Sequence, residues 1–63
     1  MKYIVNLRVE THSGVKADLC SVAARNPKAA ENAAAAKILR KYGNENVIEI
    51  FVISVTEVSH AVA

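Results

Sequence analysis

The sequence predicts an α+β fold: a single β-β-α-β domain, a three-stranded antiparallel sheet of spatial order 2-1-3 with one helix packed on one face. Three observations carry this. Lys2 to Thr11 alternate, with Tyr3, Val5, Leu7 and Val9 on one parity and Lys2, Asn6, Arg8 and Glu10 on the other, the period of a half-buried strand. Asn26 to Gly43 carries a helix signal at each end. Val47 to Val58 is rich in β-branched residues and apolar on both parities, as in a strand covered on both sides.

The first strand is expected at about 2–11, with only Ile4 out of pattern. His12-Ser13-Gly14 makes a turn, since Gly14 is free to take a positive φ. A second strand follows at about 15–25 and closes a hairpin. Its pattern is less regular: Val15, Ala17 and Leu19 share one parity, and Cys20, Val22 and Ala24 the other. A bulge near Leu19–Ser21 would bring both sets to one face; the alternative is a strand apolar on both faces.

The helix is expected at about 27–42. Asn26 is a good N-cap and Pro27 suits the first helical position. The alanines from Ala29 to Ala36 carry high helix propensity, Lys37, Arg40 and Lys41 oppose the negative end of the dipole, and Gly43 ends the helix. At helical spacing Ala34, Ala35, Ile38, Leu39 and Tyr42 gather on one side as the core stripe. The third strand, about 46–58, has Val47, Phe51, Ile53 and Val55 on one parity and Ile48, Ile50 and Val52 on the other. Ser59 to Ala63 reads as a frayed tail. The helix returns the chain, so strand three runs parallel to strand two. Placing it beside strand one makes every pair antiparallel.

With 63 residues, the chain makes one domain, 1–63, and a marginal core. Cys20 is the sole cysteine, so no disulfide closes within the chain, and His12, His60 and Cys20 do not make up a zinc site. No cofactor or metal is expected. Small domains of this kind are reinforced by a partner subunit. The net charge of +2 permits an acidic partner without demanding one. No apolar run reaches membrane-spanning length and the N-terminus does not read as a secretory signal, so the expectation is a soluble cytoplasmic protein.

Catalytic readings are thin. A Cys20–His12 or Cys20–His60 pair has nothing behind it beyond residue type, and an acid–base carboxylate pair needs a cleft that three strands and one helix hardly offer. The chain is read as no enzyme. Arg25, Lys28, Lys37, Arg40 and Lys41 make the best polar patch and a candidate nucleic-acid contact. Dipole compensation on a solvated helix face is the plainer account. The chain has no glycine-rich phosphate loop and no RNA-recognition strand motif. The β-β-α-β order resembles half of several small α+β folds, double-stranded RNA-binding domains among them. That resemblance is one of topology, and no residue role is taken from it. In size and compact α+β form the chain also resembles phage- or plasmid-encoded inhibitors of host machinery, anti-CRISPR proteins included.

One helix covers one face of a sheet. Whichever parity of strand three faces the helix, three or more large apolar side chains are left outside. The reading that follows is a small protein–protein interaction module, a homodimer through an apolar sheet face or an edge strand. Ile48, Ile50 and Val52 are the expected contacts, joined by Ile4 and Leu19. A nucleic-acid binder using the basic helix face, or an inhibitor of a host complex, are the alternatives.

Overall fold

The structure, a computed structural model, describes residues 1–58. Strand β1 spans Lys2–Thr11, β2 Gly14–Ala23, helix α1 Pro27–Tyr42 and β3 Val47–Val58. The sheet has the order β2-β1-β3, and both pairings of β1 are antiparallel. The tail expected from Ser59 onward lies outside the described residues.

The hairpin turns on His12 and Ser13, with Thr11 paired to Gly14. Two-residue loops ordinarily place a positive φ at their centre. Here the strain-free residue stands one place later: Gly14 takes φ 122° and is the only residue of the turn that leaves the usual region. The buried Thr11 hydroxyl fixes the corner, donating to the Gly14 carbonyl at 2.7 Å and accepting from the Ser13 N–H at 3.2 Å.

Helix α1 is capped as its sequence implies. The Asn26 side chain accepts from the Ala29 N–H at 2.8 Å, Pro27 occupies the first turn, and the Gly43 N–H donates to the Leu39 carbonyl at 2.9 Å with φ at 89°. The buried stripe is narrower than expected and begins earlier: Ala30, Ala34 and Ile38. Tyr42 packs at its margin, while Ala35 and Leu39 are only half-buried. Two alanines in the stripe let the helix backbone approach the sheet, and Ile38 fills the wider end.

The core is built on β1. Tyr3, Val5, Leu7, Val9 and Thr11 are all buried, flanked on β2 by Cys20 and Val22. Strand β2 keeps one unbroken register with β1 from Gly14 to Ala23, so it has no bulge. It is a strand with apolar residues on both faces: Cys20 and Val22 inward, Val15 and Leu19 outward and exposed. It also ends earlier than the expected residue 25, because Ala24 and Arg25 turn the chain into the N-cap.

The irregularities lie in β3 instead. Asn6 pairs with Ser54 but Leu7 with Val52, and Glu10 pairs with Glu49 but Thr11 with Val47. Ile53 and Ile48 are thereby left without a partner on β1. Each extra residue reverses the alternation. Val55, Val52, Ile50 and Val47 all fall opposite the buried residues of β1, on the helix face, although their numbers mix both parities.

The open edge and outer face of the sheet

The uncovered face of the sheet is mixed in character. Ile4, Leu19 and Phe51 are exposed there, but so are polar neighbours. Ile4 lies between Ser21 and Thr56, Asn6 between Leu19 and Ser54, and Arg8 between Ala17 and Phe51. Arg8 stands near the centre and donates to the Asn6 side-chain oxygen at 3.1 Å and to the Leu7 carbonyl at 3.2 Å. The expected apolar face is therefore interrupted by a hydrogen-bonded cation at its middle.

The five residues read as partner contacts divide three ways. Ile4 and Leu19 are outward and exposed. Ile48 is exposed at a bulge. Ile50 and Val52 are not outward: the bulges turn them to the helix face, where Ile50 packs against the core while Val52 remains 37% exposed. Phe51 is 46% exposed on the outer face, whereas Tyr3 is buried. The parity of β3 could not be carried across Ile53 by counting in twos.

The two sheet edges can be assigned from the hydrogen bonds at the ends of β1. Ala24 N–H donates to the Met1 carbonyl, and His12 N–H donates to the Asn46 carbonyl. Antiparallel bonding alternates along a strand. Odd-numbered residues of β1 therefore bond to β2 and even-numbered ones to β3. It follows that odd residues of β2 turn their backbone groups to its free edge. On β3 the outward-turned residues are the partners of the odd β1 positions: Val47, Ile50, Val52, Val55 and Glu57.

Strand β2's edge carries two side-chain bonds, one from β2 itself and one from α1. Asp18 Oδ1 accepts from the Leu19 N–H at 2.9 Å, and Lys37 Nζ donates to the Ser21 carbonyl at 2.8 Å. Asp18 Oδ2 also accepts from Lys41 Nζ at 2.7 Å and from the Tyr42 hydroxyl at 2.9 Å. The Lys41 bond, helped by the Tyr42 bond and opposed by partial burial, holds the Asp18 carboxyl below its ordinary value. The same bond raises Lys41, and Asp18 raises Tyr42 by holding its proton. Burial, with the Asp18 charge nearby, pushes the Cys20 thiol up, which makes it a poor nucleophile.

These contacts also place the basic residues. Lys37 and Lys41 are spent on β2. Arg40 lines, with both of them, an open groove of about 520 Å³ between α1 and β2 that also holds Asp18, Leu19 and Cys20. Arg25 and Lys28 are exposed at the other end of the helix. The five cations read as a nucleic-acid patch thus divide between the two ends of the helix, with Lys37, Arg40 and Lys41 at one and Arg25 and Lys28 at the other; the pairing of Lys41 with Asp18 is what the sequence did not signal. Among the described residues no three His, Cys, Asp or Glu side chains gather as metal ligands, and no helix is long and apolar enough to cross a membrane. Compared with family models, with curated proteins and with solved structures, the chain finds no match.

Proposed function

We propose that this chain is a small non-enzymatic protein–protein interaction module, homodimeric, whose mating element is β3. One observation carries the reading. With 12 residues β3 is the longest strand, yet not one of its side chains is buried. Five positions of β1 and two of β2 are buried by comparison. Val47, Ile50 and Val55 are only half-covered, and Ile48, Phe51, Val52 and Ile53 are exposed. Full burial of a side chain of this size is worth roughly 1.5–3 kcal/mol. Against a stability of about 5 kcal/mol for a small domain, that unrealised burial is a large term. The face alone is a poorer mating surface, since Arg8 and Asn6 sit at its centre.

The test is solution mass by light scattering over a concentration series, on the wild type and on Ile53→Lys. Ile53 is 55% exposed and has no partner on β1, so the lysine spares the fold. The wild type is expected at twice 6.8 kDa and the variant at the single mass with its circular dichroism unchanged. A wild type that stays at 6.8 kDa throughout defeats the reading.

A further inference from the structure

We infer that the occupant of the β3 edge is the β3 strand of a second copy. The two strands pair antiparallel about a two-fold axis at Val52 and join two sheets into one of six strands, ordered β2-β1-β3-β3′-β1′-β2′. This rests on reading β3 as the mating element and adds which edge, which partner and which register.

The pattern of outward-turned groups carries it. Val47, Ile50, Val52, Val55 and Glu57 face Thr11, Val9, Leu7, Val5 and Tyr3, five β1 residues spaced evenly by two. The bulges at Ile48 and Ile53 fall between these positions. Measured against β1 they absorb the uneven numbering of β3, so its outward-turned residues keep step with an evenly spaced ladder. An evenly spaced ladder can pair with its own reversed copy. Full overlap occurs in one register only, with Val52 opposite Val52′, Ile50 opposite Val55′ and Val47 opposite Glu57′.

The side chains agree with that register. On the helix face it sets half-covered Ile50 against half-covered Val55′ and closes exposed Val52 against its own copy. On the outer face Phe51 meets Ser54′ and Glu49 meets Thr56′. No carboxylate is placed opposite another, a pairing that would be repulsive. A net charge of +2 per chain adds little repulsion between copies. Strand β2 cannot take the same role, because Asp18 and Lys37 already occupy its edge. The side chain-to-backbone bonds among the described residues include none to β3.

Two variants of the full chain test this. Val52→Pro removes an N–H that β1 does not use, and proline is tolerated where a strand's N–H faces outward. The variant is expected to keep its circular dichroism and run as a monomer at concentrations where the wild type is a dimer. Val52→Cys, in a Cys20→Ala background, places two sulfurs across the axis. Hydrogen-bonded antiparallel partners lie about 5.5 Å apart at Cα, within reach of a disulfide. Mild oxidation, which removes two electrons and two protons from the thiol pair, is expected to give a band of twice the mass on a non-reducing gel. Val47→Cys in the same background, facing Glu57′, is expected to give none. If Val52→Pro fails to fold, the cysteine pair decides. A wild-type dimer that Val52→Cys does not cross-link, or that cross-links through Val47→Cys, overturns the edge pairing and leaves β3 as mating element. A wild type that is monomeric at every concentration overturns both.

Discussion

The two edges of this sheet are built from the same kind of strand and treated in opposite ways. Strand β2 has ten residues and apolar side chains on both faces, and β3 has twelve of the same character. On β2, a helix lysine takes the Ser21 carbonyl and Asp18 takes the Leu19 amide. Those are the devices by which edge strands avoid pairing with other chains. On β3, the two interruptions shift side chains between faces, its outward-turned residues stay in step with evenly spaced positions of β1, and no side chain among the described residues bonds to its backbone. What matters is whether a charged or polar side chain sits on the groups that a newcomer would use.

The sharpest way to break the comparison is to strip β2 of its cover. Ile38 is the one large helix side chain that is wholly buried. Ile38→Ala should cost roughly 2–5 kcal/mol. With about 5 kcal/mol available, urea unfolding monitored by circular dichroism should show a midpoint moved far down, and partial unfolding without urea at the upper end of that loss. A loss below about 1 kcal/mol would mean the helix contributes little to holding β2.

A smaller effect is expected at Asp18. Asp18→Asn keeps the shape but not the charge that Lys41 and Tyr42 bind, and should lose about 1 kcal/mol at neutral pH. The sign of the pH dependence follows from the lowered carboxyl. Its contribution is complete above the ordinary value of 3.8 and disappears as pH falls through the lower folded value. The gap in urea midpoint between wild type and Asp18→Asn should therefore be present at pH 7 and close in acid, as the pH falls through the lowered folded value. A gap that persists in acid would show that the carboxylate is not what ties α1 to β2.

Lys37→Ala is the mildest change. Its bond is exposed, so melting should barely move. Its expected effect is on association: the Ser21 carbonyl is freed, and a second edge begins to resemble β3. Light scattering at high concentration should then detect species larger than the wild type's. If it does not, Asp18 alone suffices to guard that edge.

Much of this arrangement could be read from the chain. The alternation of Lys2–Thr11 marks the central strand because β1 is the one strand with neighbours on both sides and a single covered face. Asn26, Pro27 and Gly43 mark the helix because caps are local, and the strand order 2-1-3 follows from the helix returning the chain. The face assignment of β3 was not legible, since it depends on where Ile48 and Ile53 drop out of register, and only pairing with β1 fixes that. The irregular patterning of β2 left a bulge and a strand apolar on both faces open, and only its unbroken register with β1 decides for the second. The edge guard was hidden for a similar reason: Lys37 lies 16 positions from Ser21 and Lys41 23 from Asp18, so their meeting is a product of packing.

Cys20 has a consequence of its own. It is the chain's single thiol, and it is buried where α1 meets β2. It is only 8% exposed in the lining of the groove between them, so the speed at which an alkylating reagent labels it follows how widely that groove opens. The molecule thus carries its own gauge of how firmly one layer is seated on the other, with no foreign label added.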